Sequence, residues 1–429
     1  MGRTIKRGLL ALSPVIVLLT VYLAGSIVAG DFYKIPITVA FLIASVYAVA
    51  VCKGESLDKK IKIFSSGAAN TRMMLMVWIF ILAGAFAALA KSMGAVDATV
   101  ALTLSFIPGQ YLPVGVFLAA CFISMSIGTS VGTIVALTPV VTALAPQIGC
   151  DVAWLVAIVV GGAFFGDNLS FISDTTIAAT QSQGCSMRDK FRTNFLLVLP
   201  AALLTIALYL FSGAGISTGV QPALTLVECL KVLPYLLVIV LALCGINVLV
   251  VLVAGIVAAA VIGLFAGSFG VWKIFSSMGS GIASMGDLIV VTMLAGGLLE
   301  IVRVNGGLEF LIRIVTFRVR STRAAEFAIV LLTALSNLCT ANNTIAILSI
   351  GEMVHDISVK FGISPRRSAS LMDTASCFVQ GVIPYGAQLL MAAGLAAVSP
   401  VAIIPSLYYP MLIGVMVVFS ILSRYPRCK

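Results

Sequence analysis

Long apolar runs separated by short polar interruptions set the pattern of this chain. Runs over 9–29, 35–52, 73–93, 151–181 and 193–213 are long enough, as helices, to cross ~30 Å of hydrocarbon. A second set follows at 230–247, 248–267, 283–302, 367–398 and 401–422. No strand-like alternation competes, and backbone facing lipid must satisfy its own hydrogen bonds. The pattern predicts an all-α integral membrane protein with about ten transmembrane helices.

The two sets are copies. Lys-Ile-Phe-Ser-Ser occurs at 62–66 and again at 273–277, an offset of 211 residues. Ala83-Gly84 answers to Ala295-Gly296, Lys91 to Arg303 and Gly94 to Gly306 at 212, and Gly132-Thr133-Ile134 answers to Asn343-Thr344-Ile345 at 211. Internal duplication in an apolar chain is a common build of secondary transporters. We expect repeats over 1–215 and 216–429. Five crossings in the first repeat is an odd number, which turns the second upside down. The repeated pentapeptides read as amphipathic connectors.

Two kinds of polar interruption recur. The segment 113–146 breaks at 124–133, Ser-Met-Ser-Ile-Gly-Thr-Ser-Val-Gly-Thr, and its counterpart 324–359 breaks at 336–344, Ser-Asn-Leu-Cys-Thr-Ala-Asn-Asn-Thr. Arms of about 14 residues, ~21 Å, fall short of a bilayer, so both read as re-entrant helical hairpins with tips meeting near the midplane. Downstream, 166–176 and 380–386 each interrupt a span, the second around Pro384, and predict one discontinuous helix per repeat.

Composition narrows the class. With 61% hydrophobic and 10% charged residues the chain is no water-soluble globule. The formal net charge of +10 does not imply nucleic acid here, because basic residues in short loops set orientation. Arg3, Lys6 and Arg7 place the N-terminus in the cytoplasm, and Lys53–Arg72, Arg188–Arg192 (with Lys190), Arg303–Arg323, Lys360–Arg367 and Arg424–Lys429 then fall inside as well. The first-repeat equivalent of 303–323 carries one lysine, as inversion requires. Both termini are expected in the cytoplasm, in a prokaryotic inner membrane. The run 9–29 is too long for a signal peptide and is kept as the first span. Nine scattered cysteines without a CxxC read as reduced thiols.

The interruptions also carry the candidate chemistry. A broken helix exposes carbonyls at one stump and N–H groups at the other. Asp167 and Asp174 lie inside a span, where a carboxylate is by default functional. Out of water such a group needs neutralising by a cation or by a proton, so Na+ and H+ compete for it. Asp167 is the expected titrating ligand, with Asn168, Ser170, Thr129 and Ser130 completing the site, Asp167 and Asn168 as direct Na+ ligands, Asp174 second and Asp373 weaker. Gly128, Thr133, Asn342, Asn343, Thr344, Gln380 and Gly381 are the candidate substrate contacts.

The run Gly166-Asp167-Asn168-Leu169-Ser170-x-x-Ser173-Asp174-Thr175-Thr176, with Gly128-Thr129-Ser130 upstream, resembles the NhaC-type sodium/proton antiporter family of the ion-transporter superfamily. The resemblance implies a pseudosymmetric transporter with paired hairpins and two discontinuous helices, moving Na+ against H+. Members or near relatives exchange malate and lactate or amino acids, so the alternative is a Na+- or H+-coupled carrier of a small carboxylate or amino acid. Two departures stand out: Phe171 where the family often has proline, and Val379-Gln380 in place of a second Gly-Asp pair.

Other signals carry less. Gly128-Thr129-Ser130-Val131-Gly132 fits the G-x-S-x-G nucleophile pattern, but the single histidine, His355, lies in a hairpin arm and no strand-to-helix turn is expected. Glu300 reads as paired with Arg303, and Glu352 with Asp356 as a solvated or entrance-lining pair. No enzyme activity, no cofactor beyond the transported ions, and no nucleic-acid partner are expected; membrane lipid is the surrounding partner, and small-residue faces would permit a homodimer.

Overall fold

The computed structural model describes residues 2–25, 36–52, 56–106, 108–170, 173–214, 226–244, 246–316 and 319–426. Phe171, and Lys53, Arg318, Arg427 and Lys429 from the charge argument, lie outside the described residues. Among the described residues there is no strand.

Ten α-helices among the described residues build the first half: α1 (Gly2–Leu19, continued by a π-turn Thr20–Ala24), α2 (Ile37–Val51), α3 (Leu57–Ala68), α4 (Thr71–Met93), α5 (Ala95–Phe106), α6 (Leu112–Ile127), α7 (Ser130–Gln147), α8 (Val152–Leu169), α9 (Asp174–Gln183) and α10 (Met187–Gly213). The second half repeats the order: α11 (Leu226–Leu243), α12 (Val248–Phe265), α13 (Val271–Ser284), α14 (Gly286–Val304), α15 (Gly307–Thr316), α16 (Thr322–Thr340), α17 (Asn343–Phe361), α18 (Pro365–Val382) and α19 (Ala387–Ala396). A bent pair closes the chain, α20 (Pro400–Ile403) and α21 (Tyr408–Ser423), inclined by 59° where Pro405 and Pro410 interrupt the run expected as one straight span.

Among the described residues eight helices are long and apolar enough to cross a membrane, or nine with the bent pair. That count leaves out the expected spans at α1, α2 and α11 and takes in two hairpin arms, α7 and α16. The arms are longer than the sequence suggested, at 16, 18, 19 and 19 residues. The hydroxyl residues read as linkers belong to the helices. Ser124 donates to the Ala163 carbonyl (2.6 Å), and Thr340 folds back onto the Ser336 carbonyl (2.8 Å). Each break shrinks to two residues, 128–129 and 341–342.

Two bodies result. Helices α1–α5 and α11–α15 form one, in which α3 packs on α14 and α13 on α4, so each pentapeptide helix lies against a span of the other half. Both crossings use paired glycines. A Cβ at Gly67 would collide with the Gly296 carbonyl and one at Gly296 with the Gly67 carbonyl, and Gly84 and Gly281 stand in the same relation. We predict that Gly84→Leu lowers thermal stability in detergent by about 1–3 kcal/mol, the usual cost of overpacking. An unchanged melting curve would show that the crossing has room to spare.

The second body holds α6–α10 and α16–α21. The hairpins α6–α7 and α16–α17 pack on α8 and α18 respectively, and α9 packs on α17 as α19 does on α7. Each half thus completes the other's hairpin.

Candidate functional site

The two hairpin tips meet at the first helix break. Gly128 ends α6 in the left-handed region (φ +75), and Thr129 starts α7 from an extended conformation. Ala341 turns the second tip in the same region (φ +47), and the side chain of Asn342 caps α17 by accepting from the Ile345 amide (3.0 Å). Between these tips stand the last turn of α8 and Ser173, just before α9.

Asp167, 5% exposed, projects from that last turn. Its Oδ2 accepts from Ser130 Oγ (3.0 Å) and Asn343 Nδ2 (3.3 Å), and its Oδ1 from Ser173 Oγ (2.5 Å). Ser173 also pairs with Thr175 Oγ1 (2.9 Å), and Ser130 Oγ accepts from Gln388 Nε2 (3.1 Å). One buried carboxylate therefore touches both hairpins and the broken helix, and through Ser130 it reaches α19. A cavity of about 90 Å³ adjoins it, lined by residues of both tips and by Asp174, Thr175 and Gln388, with two acids and no basic residue.

Ser130, Thr129, Gly128, Asn342, Asn343 and Thr344 all reach this cavity. Other expected members do not. Asn168 follows Asp167 on a helix and so points ~100° away; its Oδ1 accepts from Asn194 (2.6 Å) and its carbonyl from Lys190 (2.6 Å). Asn168 therefore does not face the cavity beside Asp167, whose hydrogen-bonding neighbours are Ser130, Ser173 and Asn343. Ser170 donates to the Met125 carbonyl (2.8 Å), fixing the break to α6, and Thr133 donates to the Thr129 carbonyl within its own helix (3.2 Å). Gly381 packs against Pro410 and Phe164. Gln380 spends its amide N–H groups on the Ala341 carbonyl (2.9 Å) and Gln388 Oε1 (3.0 Å), which braces the second tip. Asp174 is exposed at the cavity rim in the first turn of α9, where a carboxylate suits the helix N-terminus.

Two basic residues assigned to cytoplasmic loops are buried instead. Lys190 bonds Asp373 (2.5 Å), the Asn168 carbonyl and Thr176 Oγ1 (2.8 Å), with both charged side chains at most 1% exposed. Asp373 is thus committed to an ammonium rather than open to the cavity. Arg367 forms a two-pronged pair with Glu326. A charge near a helix start reads as solvated by default, so no sequence signal separated these two. Glu300 does pair with Arg303 (2.6 Å), and His355, Glu352 and Asp356 are exposed.

Sequence reasoning also missed Ser173 and Gln388. Both stand where a signal existed: Ser173 immediately precedes the restart of the first broken helix, and Gln388 is the second residue of α19, the position Thr175 holds on α9.

Chemically, one carboxylate with hydroxyl and amide oxygens suits a hard monovalent cation. Among the described residues no three or more His, Cys, Asp or Glu side chains converge to hold a metal ion. The hydroxyls that donate to Asp167 can rotate to offer lone pairs, so the same cluster serves a proton or Na+.

The Na+/H+ antiporter family model matches residues 4–214 and 218–425. The chain is 24% identical over 351 residues to the Na+/H+ antiporter NhaC of Bacillus subtilis, covering 74% of this chain and 77% of that protein. It is 24% identical over 201 residues to the malate-2H+/Na+-lactate antiporter of the same organism, covering 46% of this chain and 42% of that one. Among solved structures, the YdaH transporter of Alcanivorax borkumensis aligns at TM-score 0.42 and 16% identity, over 86% of this chain and 88% of that one.

Proposed function

This chain belongs to the Na+/H+ antiporter family, and from that premise we propose that it exchanges Na+ for H+ with Asp167 binding each ion in turn. The observation that carries the reading is the position of Asp167. It is a buried carboxylate touching both hairpin tips and the helix break, so its occupant is felt by every element that moving the site would involve. Na+ and H+ are the transported substrates, Ser130 and Ser173 supply neutral oxygens, Asn343 steadies the carboxylate through its amide N–H, and the surrounding partner is membrane lipid.

The architecture supports two copies, 1–215 and 216–429, set in opposite orientations about this point. Among the described residues each α-helix of the first half has its counterpart, and the principal inter-helix packings come in matching pairs. With the basic ends inside, both termini face the cytoplasm of a plasma membrane.

The cavity favours ion exchange over organic-anion transport. Its ~90 Å³ holds a cation and about two waters at ~30 Å³ each. Its lining has acids and no base to meet an organic carboxylate. In proteoliposomes an imposed Na+ gradient should drive a saturable change of internal pH. Accumulation of radiolabelled malate or lactate without Na+-driven proton movement would replace this reading with the organic-anion one.

Asp174 separates the roles of the two acids. Being exposed at the rim, it acts only through a screened field. Asp174→Asn should keep proton-coupled exchange and shift the half-saturating Na+ concentration by roughly threefold or less. Abolished exchange in a well-inserted Asp174→Asn protein would move the coupling role to the rim.

A further inference from the structure

Away from the tips, three helix ends frame a cavity of about 540 Å³. Helix α16 starts there at Thr322, α18 starts behind Ser364, and the end of α21 closes it at Arg424. Among the described residues the charged lining is Arg323, Arg367, Arg424 and one acid, Glu326.

The acid is already neutralised. Arg367 donates through Nε to Glu326 Oε1 (3.0 Å) and through Nη2 to Oε2 (3.2 Å), and its Nη1 donates to Ser420 Oγ and the Tyr425 carbonyl. This pair forms a fixed floor. Arg323 and Arg424, both exposed, remain as surplus positive charge. The N-termini of two long helices add partial positive charge to the same space.

Two details set this apart from an ordinary basic surface. Ser321 caps α16 by accepting from the Ala324 amide (3.2 Å), whereas Ser364, at the matching place on α18, makes no capping bond. Its Oγ is buried without a partner while the residue lines the cavity. A hydroxyl in that condition is a spare donor, and leaving one unpaired costs about 1–3 kcal/mol. Second, Arg424 ends α21 in the left-handed region (φ +57), where glycine is the low-cost residue.

We infer that this cavity is a phosphoryl-anion site, formed by Arg323, Arg424, the Ser364 hydroxyl and the N-termini of α16 and α18. Donors arriving from three elements suit a tetrahedral anion with several oxygens better than a planar carboxylate. The phosphoryl group comes either from a soluble phosphate or from the headgroup of an anionic phospholipid. Its occupancy ties the base of the second hairpin to α18 and α21, independently of which ion Asp167 carries.

The test compares the full-length wild type with Arg323→Gln/Arg424→Gln and with Ser364→Ala. Thermal unfolding in detergent is followed against inorganic phosphate and against chloride, at equal Na+ and ionic strength. Native mass spectrometry follows retention of phosphatidylglycerol against phosphatidylcholine. We expect a saturable rise in melting temperature with phosphate, or selective retention of phosphatidylglycerol. The double variant should weaken that response at least ~10-fold and Ser364→Ala ~3-fold, with Na+/H+ exchange without phosphate unchanged. A response to phosphate alone identifies the soluble source, and one to phosphatidylglycerol alone the headgroup; either supports the site. The inference is overturned if neither ligand differs from its control, or if Ser364→Ala and the double variant both respond like wild type.

Discussion

Asp167→Asn is expected to insert and fold normally while losing Na+-driven proton movement by about 100-fold or more. The magnitude follows from the geometry. Removing the charge leaves neutral oxygens to hold Na+, and a charge-assisted contact in a buried setting is worth about 3 kcal/mol, which is about 100-fold in affinity. The amide also cannot take up and release a proton, so Na+ that still moves does so uncoupled. The fold should tolerate the change because Asn is isosteric and the Ser130 and Ser173 hydroxyls can reverse their bonds; the Asn343 amide can meet the new carbonyl oxygen. The measurement is a pH-sensitive dye inside proteoliposomes under an imposed Na+ gradient, with 22Na uptake in parallel. Wild-type exchange by the variant would remove Asp167 from the mechanism.

The sequence revealed much of this architecture for a physical reason. Residues that permit a break are scarce in apolar helices, so Gly128, the Asn342-Asn343 pair and Pro384 between Gly381 and Gly386 stood out and fell at or within a few residues of the observed breaks. Asp167 was legible because a carboxylate in an apolar run has no bland explanation. Polar partners brought together by folding were not legible. Gln388 lies 258 residues from Ser130, and Lys190 183 residues from Asp373. Each follows a break or loop, where Gln and Lys are ordinary surface residues, and no spacing rule joins them. The misplacement of Asn168 has a different cause. Adjacent residues in a sequence motif look like one site, but on a helix they serve two clusters, one with Asp167 facing the cavity and one with Asn168 facing Lys190.

That second cluster sets the largest stability effect we expect. Lys190 crosses from the start of α10 to the end of α8, holding the Asn168 carbonyl, one of the carbonyls a helix leaves unsatisfied, and Thr176 beyond the break. It thereby splints the two stumps of the first discontinuous helix and ties them through Asp373 to α18 of the other half. Lys190→Met leaves Asp373, fully buried and with its Oδ1 already lacking a partner, as a charge without a counterion and with only the Asn194 amide still donating to it. Breaking a buried pair from one side costs about 3–5 kcal/mol, whereas removing both charges costs far less. Lys190→Met and Asp373→Leu should therefore each melt well below wild type in detergent, and the double variant should recover most of the loss. Transport separates splint from mere ballast. If Lys190 positions the break, the stable double variant still exchanges Na+ for H+ more slowly, with weakened Na+ half-saturation, because Asp167 and Ser173 flank the segment it holds. Wild-type exchange by the double variant would confine the pair to stability, and additive losses in the melting experiment would show that the two charges do not act as a pair.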